Sequence, residues 1–210
     1  MTHLVQANMP VFPGTEPPIF APANTLAADG FLETKLTIYS HTGTHIDAPA
    51  HMLVDGLSLD EISVENYIGQ AVLADLTPIH SELIKINHLV PLQHLIEKVD
   101  FLLLHTGWAK HWGTDQYFRQ YPVITPETAE WLGQFKLKGI GVDTISVDRL
   151  ESTSFPIHHI LLARGLLIIE NLTNLHLLDT PTCLFSCLPI KTKNADGAPV
   201  RAVAISEQGK

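Results

Sequence analysis

The segment from His41 to His51 constrains this chain more than any other part of the sequence. It reads His-Thr-Gly-Thr-His-Ile-Asp-Ala-Pro-Ala-His, which places three histidines and an aspartate within eleven residues. A fully extended strand would set His41 and Asp47 about 20 Å apart, at about 3.3 Å per residue. A helix would turn Asp47 away from His41, and Gly43 and Pro49 both disfavour a helical interior. The pattern therefore predicts a compact loop that folds around a point.

Imidazole nitrogens and a carboxylate in such a loop suit Zn²⁺ and, as alternatives, Mn²⁺ or Fe²⁺. A single histidine in a turn more often makes ordinary hydrogen bonds, and that interpretation stays open for each histidine taken alone. The candidate donors are His41, His45, Asp47 and His51. Their density, together with the glycine and proline between them, favours a divalent-cation site.

A second pair of an imidazole and a carboxylate lies far along the chain, at His158 and Glu170. A predicted helix runs from Pro156 to about Arg164, and a predicted strand covers residues 166–170. The helix rises about 10 Å from His158 and the strand returns over about 16 Å, so both residues should lie near the same end of the fold. A carboxylate that ends an apolar run is costly to bury unless it is paired or binds a cation. An exposed glutamate just past the strand is the alternative.

Short β-type runs separated by turns indicate the fold class. They are Thr34–Ser40, Ala71–Leu76, Phe101–Leu104, Gly139–Thr144, Leu166–Glu170 and Pro199–Ile205. The order Thr125, Pro126 and Glu127 predicts the N-cap, first residue and early acid of a helix. Pro10–Pro22 is expected to form a loop or an extended arm. Strands outnumber helices and several are far apart in sequence, which predicts an α/β fold with a mixed sheet.

Length and composition limit the class of protein. A chain of 210 residues, 45% hydrophobic and 17% charged, fits one globular domain over residues 1–210. The net charge of −9 without a Lys/Arg-rich run argues against nucleic acid or an anionic membrane as partner and favours a small molecule. Residues 1–10 lack a signal-peptide pattern and no apolar stretch could cross a bilayer, so we expect a cytoplasmic protein. Cys183 and Cys187 are expected to be buried thiols in an apolar strand, residues 182–190.

The His41–His51 segment resembles the bacterial kynurenine formamidases and cyclase-like metal-dependent hydrolases. Their signature, His-x-Gly-Thr-His-x-Asp-x-Pro-x-His, matches the segment at every fixed position. The resemblance continues through nearly the whole chain, in Thr106-Gly107-Trp108, in Gly141-Val142-Asp143-Thr144 with Ser146-Val147-Asp148, and in His158 followed by Glu170-Asn171. The fold that it implies is a single swivelling-type β/β/α domain around a mixed sheet or barrel.

The resemblance also implies a set of metal ligands: His41, His45, Asp47, His158 and Glu170. The first two histidines would bind one ion, His158 would bind a second, and the two carboxylates would bridge them. The spacing to Glu170 selects His158 rather than His159, and His51 would be the catalytic proton donor and acceptor. The implied cofactor is a pair of divalent ions, zinc with manganese as the alternative, and the implied assembly is a homo-oligomer, a dimer.

This ligand set implies hydrolysis. Two divalent cations against two carboxylates leave positive charge that holds a water molecule as hydroxide near neutral pH. That hydroxide would attack an amide or formamide carbonyl, while a cation stabilises the oxyanion. His51, with an ordinary pKa near about 6.5, is suited to pass the proton to the leaving nitrogen. A covalent mechanism through Ser186 or Cys187 is a weak alternative, because no such nucleophile is needed.

The substrate implied first is N-formylkynurenine, a formamide with a C–N bond outside any peptide. Kynurenine formamidases tend to carry a Trp-Pro-Gly segment whose tryptophan packs on the substrate, whereas this chain has Phe12-Pro13-Gly14. Phe12 can still stack on an aromatic ring and is the candidate substrate-binding residue. The departure leaves open the hydrolysis of a cyclic amide such as isatin. A non-catalytic metal-binding or ligand-binding protein with the same fold is the alternative from a different class.

Overall fold

The elements of the fold are given by a computed structural model that describes residues 1–79 and 81–206. The strands in these ranges are β1 (Ile19–Asn24), β2 (Glu33–Thr37), β3 (His45–Asp47), β4 (Ile68–Asp75), β5 (Leu83–Ile84), β6 (Phe101–His105), β7 (Val123–Ile124), β8 (Gly139–Val142), β9 (Leu167–Glu170), β10 (Thr182–Ser186), β11 (Gly197–Pro199) and β12 (Val203–Ile205). The α-helices are α1 (Leu26–Asp29), α2 (Ile86–Leu89), α3 (Gln93–Ile96), α4 (Pro126–Leu132) and α5 (Pro156–Ala163). Within the described ranges, no helix has the length and apolarity that a membrane span requires.

One mixed sheet of eight strands forms the centre of the molecule, in the order β11-β3-β9-β8-β6-β4-β10-β12. Strands β4, β6, β8 and β9 pair in parallel, and the strands on both sides of them pair antiparallel. The sheet curls into a half-barrel. Its two edge strands, β11 and β12, are separated along the chain only by residues 200–202. The predicted α/β class with a mixed sheet is confirmed.

Two apolar cores cover the two faces of the sheet, because side chains alternate along each strand. In β6, Leu102 and Leu104 belong to a core shared with helices α4 and α5. Phe101 and Leu103 belong to the core of the opposite face, where Phe101 meets the ring of Phe185 edge-on. All of these side chains are fully buried, and each burial stabilises the fold by roughly 1.5–3 kcal/mol. The central strands are therefore a rigid support for the loops at their ends.

Helices α4 and α5 begin where the sequence predicts. The Thr125 hydroxyl accepts a hydrogen bond from the Thr128 backbone N–H at 3.3 Å, and Pro126 is the first residue of α4. Helix α5 likewise begins at Pro156 and is followed by Gly165, which has a φ of +75°. A glycine tolerates this left-handed conformation without strain and so ends the helix.

The C-terminal strand was predicted as one element, Pro199–Ile205, and this prediction is wrong. The segment contains the end of β11 and the whole of β12, which lie on opposite edges of the sheet. Val200, the residue after β11, continues the pairing with the β3 side, because its N–H donates to the carbonyl of Thr44 at 3.0 Å. The segment splits because the sheet is curled, so that a short connection reaches from one edge to the other.

The N-terminal arm is a loop that continues into an extended strand, in agreement with its prediction. The segment Pro10–Pro22 is irregular up to residue 18 and then enters β1, and the predicted strand Thr34–Ser40 is observed as β2, Glu33–Thr37. The two strands form an antiparallel hairpin in which Phe20 pairs with Leu36. None of the residues of either strand is buried. The hairpin therefore takes no part in either core.

Candidate metal centre

The His41–His51 segment changes direction twice, and only part of it is the loop that was predicted. Gly43 has a φ of +66°, which turns the chain into the three-residue strand β3, and a single turn of 3-10 helix then covers Pro49–His51. The prediction of an irregular loop is thus wrong for His45–Asp47, which is extended. A strand of three residues is short enough to keep the donors together, so the distance argument against a long strand does not apply to it.

Strand β3 is held between β9 and β11, and this pairing assembles the site. His45 lies opposite Glu170 in the antiparallel ladder with β9, and Asp47 lies opposite Gly197 in the ladder with β11. The sequence predicts Glu170 only near the same end of the fold as His158. The structure adds the register that sets it beside the histidine loop.

The five proposed ligands converge on two adjacent positions. His41, His45 and Asp47 offer donor atoms within 4.8 Å of one another, and so do Asp47, His158 and Glu170. Asp47 belongs to both groups. Glu170 also spans them, since one carboxylate oxygen lies 3.4 Å from His45 Nε2 and the other lies 3.4 Å from His158 Nε2. Each of the two carboxylates therefore lies within reach of both groups of histidines.

Two of these histidines are fixed by hydrogen bonds on the nitrogen that faces away from the site. His158 Nδ1 lies 2.7 Å from the carboxylate of Asp148, which also accepts the backbone N–H groups of Ile157 and His158 at the start of α5. His45 Nδ1 lies 2.8 Å from the carbonyl of Gly43. When Nδ1 carries the proton and donates it, the lone pair of Nε2 points into the site.

The Gly43 carbonyl is itself held by Asn171, whose side-chain amide donates to it at 2.9 Å. The Asn171 side-chain oxygen accepts the Tyr117 hydroxyl at 2.7 Å. Asn171 has a φ of +57°, which asparagine tolerates better than most residues. The Glu170-Asn171 pair of the sequence thus supplies one proposed ligand and one residue that supports His45.

An unpartnered oxygen in the centre of the site fits a cation. Among the described residues, Asp47 Oδ2 is a buried side-chain atom without a hydrogen-bond partner, and Asp47 is fully buried. A buried carboxylate oxygen without a partner is costly, and a divalent cation would satisfy it. The donor set of imidazole nitrogens and carboxylate oxygens is the one that Zn²⁺ and Mn²⁺ accept. The residues present therefore fit the cofactor that the sequence implies.

The carboxylates of the site also favour positive charge on the histidines beside them. Burial alone would lower the pKa of His45 and of His158, but their acidic neighbours, with Asp47 foremost for His45 and Asp148 foremost for His158, raise both pKa values to about 10. Burial opposes ionisation of Asp47 too, yet His45 and His41 hold its pKa well below the usual range. Protons and cations compete for these nitrogens, so metal affinity should weaken as the pH falls.

His51 lies beside the ligands, in the wall of a cavity of about 340 Å³ that opens onto the site. Its ring centroid is 4.0 Å from that of His41, and its side chain is 25% exposed. Burial lowers the pKa of His51, so its ring is neutral at neutral pH and can accept a proton. Phe12 lines the same cavity and is 37% exposed. His51 and Phe12, the two candidate site residues that are not proposed ligands, thus line the same cavity.

Three residues of the site carried no assigned role at the level of sequence. Asp148 supports His158, as described above; Phe155, with a φ of +44°, lines the cavity; and the carboxylate of Asp196 lies 3.0 Å from His41 Nε2. Strained backbone at a bulky residue is often found at functional sites. Asp148 lies within a segment of the resemblance, and Phe155 precedes a proline, but neither pattern indicates a contact. Asp196 is so far in sequence from the His41–His51 segment that no local pattern predicts their contact.

Other segments of the resemblance support the fold rather than the cavity. The buried carboxylate of Asp143 accepts the backbone N–H groups of Gly107 and Trp108 at 2.8 and 3.1 Å, and the N–H of Thr106 at 3.1 Å. Trp108 donates its indole N–H to the carbonyl of Tyr117 at 2.9 Å and packs in an aromatic cluster. These contacts tie the ends of β6 and β8 together.

The cysteines are buried, as expected, although the strand predicted for residues 182–190 ends at Ser186. Burial raises the pKa of Cys187 to about 12. A thiol with such a pKa is a poor nucleophile near neutral pH. Neither Cys187 nor Ser186 lines the cavity beside His51, so the geometry does not favour covalent catalysis by either residue.

Comparison with known proteins shows the family of the chain. A family model named Cyclase, described as "Putative cyclase", matches residues 1–149. Kynurenine formamidase of Bacillus cereus (strain ATCC 14579) is 33% identical over 197 residues, which cover 93% of this chain and 91% of the relative.

Two solved structures share the fold over nearly the whole chain. Isatin hydrolase A from Ralstonia solanacearum superimposes with a TM-score of 0.85 at 25% identity, covering 98% of this chain and 90% of that one. A protein described as a predicted metal-dependent hydrolase from Bacillus stearothermophilus gives a TM-score of 0.79 at 27% identity, covering 97% and 95%.

Proposed function

The chain belongs to the Cyclase family, and from this membership we propose that it is a metal-dependent hydrolase of C–N bonds other than peptide bonds. The observation that carries the proposal is the pair of three-residue donor groups that share Asp47, beside a cavity that His51 lines. N-formylkynurenine is the first candidate substrate, since the curated relative is a kynurenine formamidase. We propose one catalytic domain over residues 1–210, working in the cytoplasm.

The proposed cofactor is a pair of divalent cations, zinc with manganese as the alternative. His41 and His45 would hold one, His158 would hold the other, and Asp47 and Glu170 would contact both. Bound there, the cations would supply a Lewis acid for the substrate carbonyl and would activate water at neutral pH. The carboxylate of Glu170 is held in position in part by the backbone N–H of Val147, which donates to Oε1 at 2.9 Å.

Side chains of the cavity wall would carry out proton transfer and substrate binding. His51 would take a proton from the attacking water and return it to the leaving nitrogen, a role that needs a ring which is neutral at rest. Phe12 and Phe155 border the cavity from the arm and from the residue before α5, so an aromatic ring entering it would meet apolar surface. Thr15 closes a turn with Phe12, donating its backbone N–H to the Phe12 carbonyl at 3.0 Å.

A cyclic aromatic amide is the second candidate substrate. A structural relative of known reaction is an isatin hydrolase, and the cavity presents Phe12, Phe155, Met52 and Ile145 to whatever enters. Opening a ring amide and cleaving a formamide use the same attack on a carbonyl next to nitrogen. The ligand set alone therefore accommodates both, and only the substrate assay separates them.

We expect the protein to hydrolyse N-formylkynurenine only when loaded with a divalent cation. Protein stripped with a chelator should lose activity by on the order of 10³-fold, because several kcal/mol of transition-state stabilisation come from the cation. Adding back Zn²⁺ or Mn²⁺ should restore it. Formation of kynurenine and formate measures turnover, and metal analysis of the same sample gives the number of ions per chain.

Isatin and formanilide assayed in parallel serve as the comparison substrates. Equal turnover before and after chelation would contradict metal dependence. A protein that binds two cations but hydrolyses no member of the panel would instead support the non-catalytic alternative.

We also propose that two copies of the chain associate through the β1–β2 hairpin. A two-stranded hairpin is marginally stable by itself, and this one exposes apolar side chains at Phe20, Phe31, Leu32 and Leu36. A contiguous apolar patch of this kind is typical of an interface. Phe20 and Leu36 face each other across the strands, so they present one continuous surface to a partner copy.

The double variant Phe20→Asp/Leu36→Asp should convert the dimer to a monomer, because it places two charges in the centre of the proposed interface. Light scattering after size-exclusion chromatography measures the mass. Val64→Asp, which alters a more exposed apolar residue outside the hairpin, should leave the mass unchanged. A wild-type protein that is monomeric at all concentrations would refute the association.

A further inference from the structure

Asp196 is an acidic residue of the site that has no place in the proposed ligand set. Its Oδ2 atom lies 3.0 Å from His41 Nε2 and 3.7 Å from His51 Nδ1. The first distance is that of a hydrogen bond and the second is longer than one. A single oxygen thus faces both a proposed metal ligand and the proposed proton carrier.

The position of this carboxylate is set by contacts on two sides. The Ser40 hydroxyl donates to Asp196 Oδ2 at 3.3 Å, and the backbone N–H of Ala48 donates to the Asp196 carbonyl at 2.9 Å. The next residue, Gly197, is the first of β11 and pairs with Asp47. Asp196 is therefore fixed relative to the strand that carries the ligands, although its side chain is 46% exposed.

Gly197 leaves room for the His41 ring. A Cβ atom at this position would lie 2.5 Å from His41 Cε1 and 2.8 Å from Nε2, closer than any real contact. The ring therefore rests on the bare backbone of Gly197, while Asp196 holds its Nε2 edge. On the opposite edge, His41 Nδ1 lies 2.7 Å from Asp47 Oδ1.

We propose that Asp196 is a positioning residue, which accepts the proton of His41 Nε2 and so keeps the lone pair of Nδ1 directed at the metal position beside Asp47. This inference rests on the proposed function, since it assigns Asp196 a role toward the cation. Metal-binding histidines commonly donate the other ring N–H to a carboxylate or a backbone carbonyl. His158 has Asp148 for this purpose and His45 has Gly43, and Asp196 completes the set for His41.

The two supporting carboxylates act on different halves of the centre. Asp196 supports His41, which shares its proposed cation position with His45. Asp148 supports His158, the histidine of the other proposed position. Loss of Asp196 should therefore weaken one of two cation sites and spare the other. A residue with a merely structural role would not produce such a split.

The test is a titration of chelator-treated full-length protein with Co²⁺, followed by calorimetry and by visible absorption. Wild type should bind two equivalents. Asp196→Asn should weaken one of them by roughly 10–100-fold, the usual effect of removing an outer-shell partner, and leave the other unchanged. Asp196→Glu should recover part of the loss, and Gly197→Ala should weaken the same equivalent by displacing the His41 ring.

Asp55→Asn is the matched control, because Asp55 is an exposed acid shortly after His51 in the sequence and belongs to none of the donor groups found among the described residues; the variant should bind Co²⁺ as wild type does. Melting temperatures of all variants show whether each one is folded. Unchanged binding in Asp196→Asn, or equal weakening of both equivalents, would overturn the proposal. A third Co²⁺ ion that binds to wild type but not to Asp196→Asn would also overturn the proposal, because Asp196 would then be a metal ligand together with His41 and His51.

A wild type that binds no Co²⁺ at all would instead refute the proposed function. The failure of the positioning role and the failure of the metal centre are thus separate results.

Discussion

Substituting Asp47 with asparagine should remove both cations and reduce hydrolysis by on the order of 10³-fold or more. Asp47 is shared by the two donor groups, and its Oδ2 atom has no hydrogen-bond partner among the described residues. Asparagine keeps the size of the side chain but cannot supply the negative charge that two cations share. Metal analysis and Co²⁺ titration measure the loss directly, and turnover of N-formylkynurenine measures its consequence.

Asp143→Asn is the matched control for this variant, because Asp143 is also a fully buried acid but supports the ends of β6 and β8. It should lower the melting temperature while two cations still bind. An Asp47→Asn protein that retains both cations would contradict the bridging role. One that retains a single cation would show that Asp47 belongs to one position only.

Replacing His51 with alanine should lower kcat by about 10²–10⁴-fold, the usual range for a general acid or base. Cation binding should stay at the wild-type level, since the other five side chains form the two donor groups around Asp47. The variant therefore separates proton transfer from metal binding. Because His51 is partly exposed to the cavity, added imidazole should restore part of the activity.

His159→Ala is the control for the His51 variant. His159 is exposed and adjoins His158 in sequence, so its loss should change neither turnover nor metal content. Unchanged turnover in His51→Ala would refute the proposed proton transfer. Loss of a cation from His51→Ala would assign His51 to the ligands instead.

The local part of the site could be predicted from the sequence because its residues are close together in the chain. The density of donors in the His41–His51 segment limits how they can be arranged, and the helix and strand that bring His158 to Glu170 follow from ordinary rises per residue. Register could not be predicted in this way. The pairing of His45 with Glu170 and of Asp47 with Gly197 depends on which strands become neighbours, and no local pattern specifies that.

The curvature of the sheet could not be predicted from local sequence patterns either. Residues 199–205 have the composition of one strand, but a curled sheet draws its two edges together and divides the segment between them. The place of Asp196 in the site cannot be predicted from local sequence for a related reason, because the pairing of the edge strand that follows it, β11, brings it to the site. Strand β3 was missed because three residues between a glycine turn and a proline have too little pattern to indicate a strand.

The pairing of β3 has a consequence for how the chain folds as it is synthesised. The histidine loop is made before its neighbours β9 and β11, which follow it far along the chain. Until β9 and β11 leave the ribosome, β3 has no strand on either side to hold its metal-binding residues in place. Pairing between strands so far apart in sequence is also slow to form. A cation bound in the finished site would then stabilise the folded chain over the unfolded one by mass action. The cofactor would thus act only on a chain that already contains β9 and β11, and a chain truncated before β11 would carry the motif without the assembled site.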